Sequence, residues 1–335
     1  MRTVHFVFGG ADALYKRCVP VFPFAKDGLQ FDENPLPDDG WLVVCNANRS
    51  PLLTHVPRSR RIFVVGESSV SHHPVTYFDQ FGVLVSPFPV HGYQGRWLQS
   101  HPAVPWFFGA TFRRREARPT IGYRDLADLP VPKKRSAVSA VVSTKVVHAG
   151  HRQRLRFLEG LKDRLGERLA LFGRGFRAID DKAEAILPFA LHLALENTVE
   201  PHYRTEKLPD ALLGYALPIY SGCPHLDQWL PRGAFETVDV ARPGEAARRI
   251  AGLLDAEAWR ERLPLIIEAR RRVMEEDTVF RVVARAIGAF PDTAPRLGTP
   301  ERVLPPARPP TECVAREMSR AFHRLTFRTR LRGDS

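Results

Sequence analysis

The sequence predicts an α/β protein of two Rossmann-like halves facing a central cleft, with a basic tail at the C-terminus. Three observations predict it. Short apolar runs bounded by Gly, Pro, Asn and Asp, which read as buried strands, alternate with stretches of helical periodicity in both halves of the chain. The segment Leu129-Pro130-Val131-Pro132-Lys133-Lys134-Arg135-Ser136 has the composition of a linker and separates the two series. The run from Phe189 to Pro224 reads as strand, polar turn, helix and strand, the repeating unit of a parallel sheet. At 335 residues, 44% of them hydrophobic, the chain is long enough for two cores and unusually long for one. The expected division is 1–132, 133–295 and 296–335.

In the first half, Val4 to Phe8 reads as a strand running into Gly9-Gly10, and Trp41 to Cys45 as a second buried strand. Between them, Phe31 to Gly40 is rich in Pro, Asp and Asn and reads as a loop. Arg61 to Val65 is a third strand, with Gly66-Glu67 just past its carboxyl end, where α/β folds place chemistry. Gly82 to Val85 is a fourth. The segment Ser86 to Phe112 that follows carries Pro87, Pro89, His91, Tyr93, Trp97, His101, Trp106 and Phe107. These aromatics suit a sugar-binding wall and equally the core of the first half.

The second half opens with a strand from Ala137 to Val142, then Ser143-Thr144-Lys145, a turn at Gly150-His151, and a helix from Arg152 to Leu165 burying Leu155, Leu158 and Leu161. The strand Leu169 to Phe172 ends in Gly173-Arg174-Gly175. Asp180-Asp181 reads as the cap of the next helix. Helices are expected at Pro243 to Leu254, Ala256 to Met274 and Val279 to Phe290. Pro291 to Pro310 reads as an irregular tether. In Thr311 to Ser335, Met318, Phe322 and Leu325 stand at helical spacing among arginines, which fits either a membrane-surface helix or a solvated tail.

The densest stretch is Leu195 to Pro224. An apolar strand, Phe189 to Leu195, leads into Glu196-Asn197-Thr198. Leu208, Ala211, Leu212 and Tyr215 then follow helical spacing, which makes Thr205 the expected N-cap and places Glu206 and Lys207 in the first turn. A strand from Leu217 to Tyr220 closes the unit. Lys207 at this end of a strand fits a phosphate site, and Glu206 and Lys207 also fit ordinary solvated first-turn charges.

Composition narrows the function. Lys and Arg total 49 against 37 acidic residues, a net charge of +12, which suits a polyanionic partner. No nucleic-acid recognition module is legible, so nucleic acid is not expected as the partner and a phosphorylated substrate is. Cys18, Cys45, Cys223 and Cys313 are scattered without a Cys-x-x-Cys pair, as expected of a reducing compartment without a zinc site. His72-His73 and His101 lack metal-ligand spacing, and no Asp-x-Asp motif sits at a strand end; no metal or cofactor is expected to be required, a divalent ion being at most stimulatory. The N-terminal apolar run is too short for a signal peptide or a membrane span. A cytoplasmic protein is expected, with contact to the inner membrane surface through Thr311 to Ser335.

Three ordered sub-motifs, Glu196-Asn197-Thr198, Tyr203-Arg204-Thr205-Glu206-Lys207 and Pro218-Ile219-Tyr220-Ser221-Gly222-Cys223-Pro224, resemble the donor-binding signature of the alpha-1,3/1,4-fucosyltransferases. Gly150-His151-Arg152-x-Arg154 with Phe157 and Leu161, and Phe172-Gly173-Arg174-Gly175 with Asp181-Lys182, extend the resemblance, which covers about Ser143 to Asp239. Arg204 stands where the family has an aliphatic residue, and Ser221 where bacterial members often have Trp.

The resemblance implies a GT-B architecture, with the acceptor on residues 1–132 and GDP-fucose on residues 133–295. It implies an inverting transfer to a glycan hydroxyl, in which the acceptor is a GlcNAc-containing surface polysaccharide or lipopolysaccharide. Glu67 matches the proposed general base, and Arg154, with Arg152 as second candidate, the arginine on the diphosphate. Lys207 would neutralise the leaving group and Glu206 hold ribose or sugar hydroxyls. Asn197, Tyr203, Thr205 and Glu196 would shape the nucleotide pocket, and Arg174 would lie near the base or phosphates. Arg204 and Ser221 leave a different nucleotide sugar as the alternative donor; a basic nucleic-acid-binding protein is the remote alternative.

Overall fold

Trp41 to Cys45 and Phe189 to Leu195 are apolar at nearly every position and buried on both faces, as central strands of covered parallel sheets must be. Each of these strands nucleates one half of the molecule. The computed structural model describes residues 2–18, 28–32, 40–69, 72–113, 116–144 and 149–306. The first series comprises β1 (Arg2–Phe8), α1 (Asp12–Lys16), β2 (Leu29–Asp32), β3 (Trp41–Cys45), β4 (Leu52–Thr54), β5 (Arg61–Val64), α2 (Val75–Phe78), β6 (Val83–Ser86), β7 (Arg96–Gln99), β8 (Ala110–Arg113), β9 (Glu116–Pro119) and α3 (Tyr123–Ala127). Its main sheet is parallel, in the order β2-β1-β3-β5-β6-β7.

The second series comprises β10 (Arg135–Val141), α4 (Ala149–Leu165), β11 (Leu169–Phe172), α5 (Ala183–Ile186), β12 (Phe189–Leu195), α6 (Lys207–Leu213), β13 (Leu217–Ser221), β14 (Glu236–Thr237), α7 (Pro243–Asp255), α8 (Ala258–Glu276), α9 (Val279–Ala289) and β15 (Glu301–Val303). Its sheet is also parallel, in the order β11-β10-β12-β13-β14. The chain leaves β10 for β11 on one side and then crosses to β12 on the other. That reversal opens a crevice at the carboxyl ends of β10 and β12, the usual ligand position in such sheets.

The end of the described chain returns to the first half. Phe280 of α9 packs edge-on against Phe6, 5.1 Å between ring centroids, and against Phe31 at 5.7 Å. The strand β15 pairs antiparallel with β4, and Arg61 donates to Glu301 across that contact.

Several expectations are corrected. Phe31 belongs to β2 rather than to a loop: Leu29, buried at 2% exposure, anchors a parallel edge strand too short to show periodicity. Gly150-His151 lies within α4 rather than at a turn before it. The tether from Pro291 contains β15, whose backbone is held by β4 although its sequence carries no strand signal. The strands β7 and β8 lie in the segment read as the aromatic stretch, β8 running one residue beyond it, and β4 and β9 in stretches to which no element was assigned. Trp106 and Phe108 from that stretch are buried in the core, at 3% and 0% exposure. The Thr311 to Ser335 segment lies outside the described residues, and no helix among those described is long and apolar enough to cross a membrane.

Candidate active site

Three cations converge at the carboxyl ends of β10 and β12. Arg154 reaches there from α4, Lys207 from the first turn of α6 and Lys182 from the residue before α5; all three line one small cavity together with His192 and Asp210. Because α6 has only seven residues, the positive field here comes from the side chains.

Glu196, the first residue after β12, organises the cluster. Its Oε1 accepts from the Thr205 amide at 2.7 Å, and its Oε2 from the Thr205 hydroxyl at 2.8 Å and Lys207 Nζ at 3.1 Å. Lys207 Nζ also donates to Thr205 Oγ1 at 2.7 Å. Thr205 is therefore not the N-cap of α6: no side chain caps that helix, and the Thr205 hydroxyl is drawn to the buried carboxylate. A carboxylate with its side chain 1% exposed needs several donors, and Glu196 outcompetes the helix end for this one. Gly222 makes room for it, since a Cβ there would meet Glu196 Cγ at 2.5 Å.

A second layer lies behind. Lys182 Nζ is 2.8 Å from Asp210 Oδ2 and 3.4 Å from Glu206 Oε1, and Glu206 is 3.5 Å from Lys207. Burial alone would raise the Glu206 pKa, but Lys207 and Lys182 outweigh it and hold the carboxyl at about 2. Burial likewise opposes the charge on Lys207, and Glu196 and Glu206 reverse that, holding the ammonium well above its ordinary value. His192, on β12, receives or gives a hydrogen bond at Nδ1 with Ser139 Oγ at 2.8 Å; burial, with Lys182 and Lys134 nearby, lowers it to about 3, so it is neutral. Glu206, Lys182 and Lys207 are therefore charged, and the imidazole is neutral.

Arg154 is buried and its Nη1 donates to Asn197 Oδ1 at 2.8 Å, while its Nε has no partner. Arg152 is exposed on α4, and Arg174 is exposed past β11, on the opposite side of β10 from β12. Neither joins the Glu196 cluster. Tyr203 is buried, and its phenol is held up first by burial and next by Glu196, with Glu67 and Glu206 adding to the effect. Glu67 is therefore within electrostatic reach of the second half. It follows Gly66, where a Cβ would fall 1.6 Å from Asn46 Oδ1, so any larger residue would have to displace that side chain. Two residues on, Ser69 donates its hydroxyl to Glu200 Oε1 at 2.6 Å and its amide to Oε2 at 3.2 Å, tying the Glu67 loop to the Asn197–Tyr203 loop.

Two residues of the site escaped the sequence reading. Lys182 was legible only as part of a motif, without a role. Asp210 stands in the apolar run Leu208-Pro209-Asp210-Ala211-Leu212, and an acid on a buried helix face is itself the signal of an internal ion pair. Asp210 Oδ1 also accepts from the amides of Phe107 and Phe108 at 2.8 and 2.9 Å. Asp181 is not the N-cap of α5, which is Lys182 with no side-chain cap, but stands one residue before it; its Oδ1 accepts from Ala183 N at 2.8 Å and from Gly109 N at 3.1 Å. The same carboxylates that order the cluster thereby clamp the segment arriving from the first half. Among the described residues, no group of three or more His, Cys, Asp or Glu side chains is placed to hold a metal ion.

Residues 131–259 match the family model of glycosyltransferase family 10 (fucosyltransferase) C-term. No curated protein matches the chain. Among solved structures, one described as an alpha1,3-fucosyltransferase with GDP-fucose is similar at a TM-score of 0.52 and 16% identity, over 89% of this chain and 93% of that one. Another, an alpha1,3-fucosyltransferase with GDP, gives a TM-score of 0.49 and 17% identity over 84% and 92%. Over residues 131–259 the chain therefore resembles the C-terminal domain of the family 10 fucosyltransferases, and its fold is of the GT-B type.

Proposed function

We propose that the protein transfers fucose from GDP-fucose to a hydroxyl of a GlcNAc-containing glycan, with inversion at the anomeric carbon. The convergence of Arg154, Lys182 and Lys207 on one cavity at the switch point of the second sheet carries this reading. The nucleoside diphosphate binds over the mouth of this cavity, whose interior of about 20 Å³ has room for little more than a water, with Arg154 and Lys207 at its phosphate oxygens and Glu206 at ribose or sugar hydroxyls. Glu67 takes the proton from the acceptor hydroxyl, whose oxygen forms the new bond to the anomeric carbon. The bond from that carbon to the diphosphate breaks, its electron pair leaves with the diphosphate, and the two cations balance the developing charge. Cationic side chains supply what a divalent ion supplies elsewhere, so transfer should persist in a chelator. Residues 1–132 contribute the acceptor side and residues 133–295 the donor side.

The test is acceptor-stimulated release of GDP from GDP-fucose, with GDP-mannose and a UDP-sugar alongside. Release from GDP-fucose alone supports the reading. Release only from another donor keeps the mechanism and changes the sugar, as the unusual Ser221 would allow. No release and no GDP binding would overturn it.

A further inference from the structure

A cavity of about 380 Å³ opens on the other side of Arg204, between the end of β7 and the junction of α8 and α9. Along the extended segment from Tyr203 to Thr205, side chains alternate: Thr205 turns to the Glu196 cluster and Arg204 away from it, into this second cavity. Arg204 is 6% exposed. Its Nη2 donates to Asp277 Oδ1 at 2.8 Å, and its guanidinium lies over the Trp229 ring, 5.4 Å from the centroid. Its Nη1 is buried and has no hydrogen-bond partner.

None of the other groups around the cavity, the Glu276 carboxylate on its lining included, hydrogen-bonds that nitrogen. Asp277 is shared, since both Arg204 and Arg285 act on it against the effect of its burial. His101 Nε2 lies 3.7 Å from the same carboxylate oxygen, and burial, reinforced by Arg204 and Arg285, keeps the imidazole neutral. Arg272 is engaged by Glu268 and by the Trp229 carbonyl. A guanidinium with one arm unsatisfied, at the wall of a polar cavity large enough for a sugar, calls for an oxyanion. The donor's phosphates have their own cations on the far side of Thr205.

We propose that this cavity is an acceptor subsite that takes a sugar bearing an oxyanion, a carboxylate or a phosphate ester, next to the sugar that receives the transfer, with Arg204 and Arg285 as its specificity-determining residues. This rests on the fucosyltransferase reading. One acceptor would use both if its reacting hydroxyl lay at Glu67 and its neighbouring sugar at Arg204, one residue along from Tyr203, on which Glu67 acts electrostatically.

The test uses the full chain and three disaccharides: galactosyl-N-acetylglucosamine, its counterpart with galacturonic acid in place of galactose, and its 6-phosphogalactosyl counterpart. GDP affinity is measured first, and then binding of each disaccharide to the GDP complex by calorimetry. At least one acidic disaccharide is expected to bind about tenfold or more tightly than the neutral one, and the favoured one identifies the anion. Arg204→Met should collapse that ratio toward one while GDP affinity stays within about threefold. Arg285→Gln, at an exposed position, should lower the ratio in the same direction and decides the matter if Arg204→Met does not fold. GDP binding with equal or no binding of the three disaccharides overturns the subsite alone. Loss of GDP affinity in Arg204→Met overturns it by assigning the cavity to the donor. Failure of the wild-type protein to bind GDP overturns the donor reading itself.

Discussion

The carboxyl ends of the two parallel sheets differ in how their charges are held. At the second sheet, Glu196, Lys207, Glu206, Lys182 and Asp210 form a continuous ion-pair network whose carboxylates are almost closed to solvent. At the first sheet, Glu67 is exposed on a tight turn, and the loop that carries it meets the second half through the surface pair Ser69 and Glu200. The difference follows from what each end would do. A site for a diphosphate must hold cations in place before the ligand arrives, and doing so inside protein requires compensating carboxylates. A base that meets a variable acceptor must stay accessible. The buried network is therefore where substitutions should disturb stability and activity together, and the exposed turn is where they should disturb activity alone.

The largest effect is expected for Lys207→Met. It removes the cation proposed to face the leaving group and leaves Glu196, with its side chain 1% exposed, without its Lys207 ion pair. Transfer should fall by a factor of at least ~1000, and denaturant unfolding should show a loss of about 3–5 kcal/mol. Lys207→Arg restores the charge and should recover most of the stability. A Lys207→Met protein as stable as wild type would mean that Glu196 is not held by this pair.

Glu67→Gln sharpens the contrast from the other side. With the base removed, kcat should fall about 100- to 10,000-fold. The melting temperature should hardly move, because an exposed carboxylate at a strand end contributes little to folding. Full turnover in Glu67→Gln would place the base elsewhere and dissolve the division of labour between the two sheet ends.

The network also has a pH signature. Glu206 titrates at about 2 in the folded protein against an ordinary value of 4.5. A carboxyl lowered on folding contributes stability that is complete above its unfolded pKa and lost as pH falls toward its folded one. Wild type should therefore lose up to about 3 kcal/mol from this group between about pH 4.5 and 2. Glu206→Gln lacks that slope, so unfolding curves of the two proteins should converge in acid. Parallel curves over this window would show that Lys182 and Lys207 do not act on Glu206 as their distances require.

How much of this was legible depended on whether a residue's role was local. The strands at Trp41–Cys45, Leu169–Phe172 and Phe189–Leu195 were readable because continuous apolar runs between turn residues have few alternatives. The run from Glu196 to Lys207 was readable as a motif, yet Thr205 was assigned by a local rule, the N-cap preference, that Glu196 overrides from nine residues away. The partners of Asp210 lie at Lys182 and at Phe107 and Phe108, more than a hundred residues off in the latter case, and no spacing in the sequence encodes that. The strand β15 was invisible for the same reason, since its hydrogen bonds belong to β4. What sequence reading missed, short strands and polar contacts alike, is held largely by partners far away in the chain.

The smallest expected effect tests the link between the two sheet ends. Ser69 and Glu200 are both at the surface, and a hydrogen bond there is worth at most about 1 kcal/mol. Ser69→Ala keeps the amide contact and removes the shorter hydroxyl bond, so kcat/KM should drop about two- to fivefold with the melting temperature essentially unchanged. The informative comparison is the double-mutant cycle with Glu200→Ala. If the contact holds Glu67 near Tyr203, the second substitution should cost little once the first is made, giving a coupling of about 0.5 kcal/mol or more in transition-state free energy. Strictly additive losses would mean that the Glu67 turn is positioned by the first half alone, through Gly66 and Asn46, and that the contact merely bridges two loops already in place.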